Sequence, residues 1–265
     1  MTLAAGRAGA IAERLAAARV ARRPLARILT RADGSLADGY AVQRALMERA
    51  GALRGFKVGT TSAAAMARVG IDEPLLGYIE QGDAVPNGGV VDLGELIAPR
   101  IEMELALVTA RDLDAAGCEA DEALAATAYA VPAFEILDSR YLAGPFDVVA
   151  AVADNMSTAR HVLGEERLDP RAVDLAAVGA VMHKNGVEIA RGTGAAVLGH
   201  PARSLAWLVR TLAREGIAVP AGSVVLTGGF SDAVPAAAGD AFVARFTPGG
   251  TVACTFSAPP TEGPS

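Results

Sequence analysis

Apolar residues recur at helical spacing from Ala8 to Val20, with Ile11, Leu15 and Ala18 on one face, and again from about Leu36 to Ala50 through Tyr40, Val42, Leu46 and Met47. The chain therefore opens with helices. The period changes at Gly55-Phe-Lys-Val-Gly59, where Phe56 and Val58 fall on one side and Lys57 on the other, which predicts a short strand. Ser62 to Val69 predicts a Ser-capped helix stopped by Gly70, and 82–94 is rich in turn residues. In Arg100 to Leu107 the alternation predicts a strand that puts Glu102 and Glu104 on one face and Ile101, Met103, Leu105 and Leu107 on the other. A helix is predicted from about Asp121 to Tyr129, then an apolar strand from Val131 to Leu137 that carries Glu135 inside it. Pro201 to Gly216 has Leu205, Leu208, Val209 and Leu212 at helical spacing; Val224 to Thr227 reads as a strand closed by Gly228-Gly229. Ala241 to Phe256 alternates around Thr247-Pro-Gly-Gly250 and predicts a hairpin. Helices lead, strands dominate later and the two do not alternate regularly, which predicts the α+β class rather than a doubly wound sheet.

Composition narrows the partners. At 265 residues and 52% hydrophobic content the chain can bury a full core, and a net charge of −6 without a basic block gives no footprint for nucleic acid or anionic lipid. Arg19, Arg22 and Arg23 cluster at the end of the first helical pattern, where cations complement the helix dipole. Cys118 and Cys254 are far apart and have no metal-type spacing, and no apolar run approaches the roughly 20 residues of a membrane span. The N-terminus, interrupted by Arg7, Glu13 and Arg14, lacks the apolar core of a signal peptide. The expectation is a cytoplasmic protein with a small-molecule partner and neither nucleic acid nor membrane.

The carboxylates are the candidate chemistry. Two anions side by side on a strand repel unless water or a cation offsets them, so the Glu102 and Glu104 face fits either a solvated edge or a bound cation. Glu135, between Phe134 and Ile136, would be costly to bury unpaired; it fits a metal ligand or a salt bridge to Arg140 or Arg100. Three carboxylates without a neighbouring Cys or His are hard oxygen ligands, suited to Mg²⁺ or Mn²⁺ and not to zinc. Lys57, between glycines, fits an ordinary solvated strand residue or a position where backbone or ligand could approach closely. Asp154-Asn155-Met156-Ser157 offers an acid, an amide and a hydroxyl, a set that suits a helix N-cap or Asx turn first and a substrate contact second. Gly228-Gly229 fits a tight turn or backbone N–H groups presented to an anion. His161, His183 and His200 form no catalytic pattern.

Taken in order, GFKVGTTS (55–62), GIDEPLLG (70–77), RIEMELAL (100–107), PAFEILDSR (132–140), ADNMS (153–157), VLGHP (197–201) with AWL (206–208), and VVLTGG (224–229) resemble the 2-keto-4-pentenoate hydratase family. That family includes 4-oxalocrotonate decarboxylases and falls in the fumarylacetoacetate hydrolase superfamily. The resemblance implies a layered, roll-like mixed β structure with flanking helices. It also implies a helical N-terminal segment over 1–80 packed on a metal-binding β-rich catalytic core over 81–258; beyond it the stretch Ala258 to Ser265 has no periodic apolar content, and 259–265 reads as a flexible tail. It implies Glu102, Glu104 and Glu135 as ligands of Mg²⁺ or Mn²⁺, Lys57 and Ser157 as catalytic residues, and Leu75, Asp154, Asn155, Gly228 and Gly229 as substrate-binding positions. The implied activity is a metal-dependent lyase, a hydratase of a 2-hydroxy-2,4-dienoate or a decarboxylase of a 4-oxalocrotonate-type diacid, in a homo-oligomer; the other class open is a binding protein on the same fold. The sequence departs from the hydratase pattern at Pro74-Leu-Leu-Gly77, where Leu75 replaces an aspartate.

Overall fold

The computed structural model describes residues 3–144 and 146–257, and the tail expected at 259–265 lies outside the described residues. The helices are α1 (Ala5–Ala21), α2 (Leu36–Met47), α3 (Ala63–Val69), α4 (Ala120–Ala125), α5 (Val148–Ala153) and α6 (Pro201–Ala213). The strands are β1 (Leu53–Gly59), β2 (Leu75–Glu80), β3 (Ala84–Val85), β4 (Val90–Asp92), β5 (Arg100–Thr109), β6 (Thr127–Leu137), β7 (Thr158–Leu163), β8 (Gly179–Lys184), β9 (Val187–Thr193), β10 (Val224–Gly229), β11 (Val234–Pro235), β12 (Ala241–Thr247) and β13 (Gly250–Ser257). Local chemistry sets several ends. Ser35 and Asp38 form a reciprocal capping box on α2, Ser62 caps α3, and Pro201 opens α6 behind the capping Nδ1 of His200.

Two sheets carry the α+β fold. An eight-stranded sheet runs β2-β1-β10-β5-β6-β7-β3 with β11 on β5, and a five-stranded sheet runs β4-β13-β12-β8-β9. The larger sheet curls until β2 lies against β7. One face of it, with Ile101, Met103, Leu105, Leu107, Phe134 and Ile136, packs into the main core together with α6 and the smaller sheet. Its concave face holds a second apolar cluster of Ile79, Ala106, Val108, Val131, Ala133, Val224 and Leu226. The helices α1, α2 and α5 share a third cluster that takes in Leu75 and Met156. β1 and β2, which the 1–80 segment includes, are members of the eight-stranded sheet. Among the described residues no helix is long and apolar enough to cross a membrane.

Two local expectations differ from the structure. The helix expected to reach Tyr129 ends at Ala125, and β6 starts at Thr127 instead of Val131, because Thr127, Tyr129 and Val131 are β-branched or aromatic and pair as a strand against β5. Asp154 is the C-cap of α5, whose N-cap is Asp147, and it leads into a short left-handed 3-10 turn over 155–157 without capping it through its side chain. The cations at the end of α1 are also used in tertiary contacts, since Arg19 pairs with Glu80 at 2.9 Å and Asp83 at 2.5 Å.

Candidate metal centre

Strand register builds the acidic cluster. Glu102 on β5 lies directly opposite Glu135 on β6, and Glu104, two residues on, shares their face. Like charges directly opposite on an antiparallel pair destabilise it, so the pairing requires compensation. The carboxylates continue the face of this second cluster, with Ala133 the register partner of Glu104 and Ala106 next along β5 on the same face. One oxygen from each of Glu102, Glu104 and Glu135 lies within 4.8 Å of the others. Glu104 and Glu135 are buried, at 1% and 0% exposure, and Glu102 is half-buried at the rim.

Lys57 reaches this cluster from β1, with Nζ 3.0 Å from Glu135 Oε2 and the side chain buried. This buried ion pair is the contact made by Glu135 Oε2 among the described residues. Room for the lysine stem comes from its register partner Gly77, where a Cβ would stand 2.9 Å from Lys57 Cγ. Burial works against the ammonium, yet the fields of Glu135, Glu102 and Glu104 outweigh it and raise the Lys57 pKa. Burial pushes Glu102 up to about 7, with Lys57 opposing and Glu135 adding to the shift. Glu104 is raised well above the carboxylate range, first by burial and then by repulsion from Glu135 and Glu102. One lysine does not neutralise the three acids. The chemistry of the donor set fits a divalent cation: all ligands are hard carboxylate oxygens, and Glu104 Oε1 is buried without a hydrogen-bond partner.

The glycine pair closes the site from β10. Gly228 N–H donates to Glu104 Oε2 at 2.9 Å, so the anion served by this turn is a side chain of the protein itself. Gly228 has φ +123°, and a Cβ there would fall 2.2 Å from Thr61 Oγ1; at Gly229 it would come 3.1 Å from Glu102 Oε2. Gly228→Ala is expected to destabilise the fold by about 1–3 kcal/mol through strain and overlap, read as a lower urea midpoint at unchanged slope.

The 154–157 segment is built from inside. Arg140 Nη1 donates to the Asp154 carbonyl at 2.7 Å and to Oδ1 at 3.2 Å, while Oδ2 accepts from the Arg140 N–H at 3.0 Å and from Ser139 Oγ at 3.1 Å. Asn155 clamps the Tyr78 backbone, its Oδ1 accepting at 2.8 Å and its Nδ2 donating at 2.9 Å. Both polar heads are thus engaged in the fold, not directed among the three glutamates and Lys57. Asn155, Met156 and Ser157 have φ of 50°, 52° and 60°, a left-handed turn that costs L-residues roughly 1–2 kcal/mol each and is held by these clamps. Ser157 is half-buried, its Oγ 3.4 Å from Asp154 Oδ2. Leu75 is fully buried in the helical cluster that also takes in Met156. Neither Arg140 nor Arg100 pairs with Glu135: Arg140 serves Asp154, and Arg100 Nη2 donates to the Ala233 carbonyl at 2.6 Å. Sequence reasoning passed over Thr158, whose Oγ1 donates to Glu135 Oε1 at 3.2 Å. The adjacent ADNMS motif was its nearest signal.

The profile of the family described as fumarylacetoacetate (FAA) hydrolase C-terminal matches residues 59–257. A 4-oxalocrotonate decarboxylase of Pseudomonas sp. (strain CF600) is 43% identical over 218 residues, 81% of this chain and 83% of its own length. A 2-hydroxyhexa-2,4-dienoate hydratase of Comamonas testosteroni is 40% identical over 190 residues, 71% of this chain and 72% of its own length. In three dimensions, the 4-oxalocrotonate decarboxylase from Pseudomonas putida G7, solved with magnesium and adipate, superposes with a TM-score of 0.92 at 38% identity, over 96% of this chain and 99% of that one.

Proposed function

Because the chain belongs to the fumarylacetoacetate hydrolase family, we propose that it is a metal-dependent lyase acting on a 2-hydroxy-2,4-dienoate or its 2-oxo tautomer, by hydration to a 4-hydroxy-2-oxo acid. The observation that carries this reading is the buried trio Glu102, Glu104 and Glu135 facing a buried Lys57. These glutamates would hold Mg²⁺ or Mn²⁺, whose Lewis acidity serves the carboxylate and 2-oxygen end of such an acid. Gly228 N–H fixes Glu104, and Lys57 supplies a cationic donor beside Glu135 for an anionic substrate. In ketonisation the 2-hydroxyl gives up its proton and the far carbon of the dienol gains one, which leaves a conjugated 2-oxo-3-enoate to which water adds. Ser157, half-buried in its turn, is the hydroxyl assigned to proton handling, and Gly229, where a Cβ would come 3.1 Å from Glu102 Oε2, bounds the substrate end, with Leu75 buried in the helical cluster.

Decarboxylation of a 4-oxalocrotonate-type diacid is the second reading. It is favoured by the similarity to decarboxylases and by Leu75, where the hydratase pattern carries an aspartate. Loss of CO₂ passes the bond pair into the conjugated 2-oxo system and needs no water. A homo-oligomer in the cytoplasm completes the proposal, in keeping with the free, buried Cys118 and Cys254.

Fresh 2-hydroxypenta-2,4-dienoate tests both. Its dienol absorbance is expected to decay with Mg²⁺, to persist in chelator and to decay again when Mg²⁺ is restored. CO₂ release from the diacid, with the dienol accumulating, selects the decarboxylase. Turnover of neither compound, or turnover indifferent to chelator, sinks the metal-lyase reading.

A further inference from the structure

We propose that Thr158 is a positioning residue for the carboxylate cluster: its hydroxyl, turned inward by a β-bulge, holds Glu135 with one oxygen fixed and the other aimed at Lys57 and the cation site. The inference rests on the metal-lyase reading above. β6 and β7 pair Glu135 with His161 and Ile136 with Arg160, but the register then slips, so that Leu137 faces Thr158 where an unbroken ladder would place Ala159. The slip moves Thr158 onto the face that carries Glu135 and makes it a diagonal neighbour of that residue. Its hydroxyl then donates to Glu135 Oε1 at 3.2 Å, with both side chains buried.

The surroundings hold this hydroxyl in place. Arg140 Nη2 donates to the Thr158 carbonyl at 3.3 Å while Nη1 grips Asp154, so one buried guanidinium spans the left-handed turn and the first residue of β7. With Oε1 taken by Thr158 and Oε2 beside Lys57, the Glu135 carboxyl plane is set by two partners on different strands, and one of its oxygens lies within 4.8 Å of oxygens of Glu102 and Glu104. A donor in this position does not touch substrate. It sets the orientation of a ligand, and orienting partners of this kind govern metal affinity.

Mn²⁺ binding to the full chain, followed by titration calorimetry and by the paramagnetic resonance of the free ion, tests this without turnover. Thr158→Val keeps the branched shape and lacks the hydroxyl, whereas Thr158→Ser keeps the hydroxyl and lacks the methyl. Thr158→Val is expected to bind Mn²⁺ about 10- to 100-fold more weakly than the parent and Thr158→Ser within about threefold. Equal affinity of Thr158→Val and parent overturns the inference, as does an equal loss in Val and Ser, which would trace the effect to packing. If the parent itself binds no Mn²⁺, the metal-lyase reading falls and this one with it. Should Thr158→Val not be recovered folded, Thr158→Ala against Thr158→Ser gives the same comparison, since both lack the methyl and they differ only in the hydroxyl.

Discussion

Glu135→Gln is expected to reduce turnover at saturating substrate on the order of 10³-fold and to weaken Mg²⁺ binding severely, while the chain stays folded. The magnitude follows from Lewis-acid stabilisation of several kcal/mol, each 1.36 kcal/mol being tenfold in rate. Folding survives because two changes oppose each other. The variant removes the buried ion pair with Lys57, but it also removes a charge lying directly opposite Glu102. The amide is isosteric, and its oxygen can still accept from Thr158, so the packing of β6 on β5 and β7 is kept. Circular dichroism and the urea midpoint report the fold, calorimetry the ion, and the decay of dienol absorbance the rate. Retained Mg²⁺-dependent turnover would remove Glu135 from the ligand set.

The acidic face was legible in the sequence because it obeys the strongest local rule of strands, the two-residue period. RIEMELAL alternates without interruption, and the structure splits it into one face of main-core residues and one carrying Glu102 and Glu104. The same period made Lys57 visible as the odd residue between Phe56 and Val58. Register, by contrast, is not local. Nothing within Val131 to Leu137 states that Glu135 will sit opposite Glu102, and nothing in Thr158 itself announces a bulge that turns it inward. The segment Asp154 to Ser157, open to an N-cap, an Asx turn or a substrate contact on sequence, is decided by the tertiary fold for a related reason. Its left-handed conformation is imposed by Arg140 and the Tyr78 backbone, which lie 14 and 77 residues away in sequence from the groups they bind. Gly228 belongs to the same class: sequence suggests an N–H offered to an anion, and the tertiary fold decides that the anion is Glu104.

Lys57→Met separates the two electrostatic roles the site asks of one ammonium. The substitution keeps the length and apolar character of a stem that passes Gly77 and is almost wholly buried, so the fold is expected to tolerate it. It removes a positive charge close to three carboxylates, and at about 4 Å with an effective dielectric near 20 each such pair interacts by about 4 kcal/mol before desolvation is counted. For a cation bound by those carboxylates the loss is a gain: the competing ammonium is gone, and Mg²⁺ binding is expected to tighten or hold. For an anionic substrate and its developing charge the sign reverses, and kcat is expected to fall about 10²- to 10⁴-fold, with KM rising as well. The two effects move in opposite directions, which a merely structural lysine would not produce. If Lys57 served only to keep the carboxylates folded together, saturating Mg²⁺ would take over that duty and restore kcat. Turnover that stays low under saturating Mg²⁺, measured with dienol decay beside calorimetric affinity, is therefore the outcome that places the ammonium at the substrate.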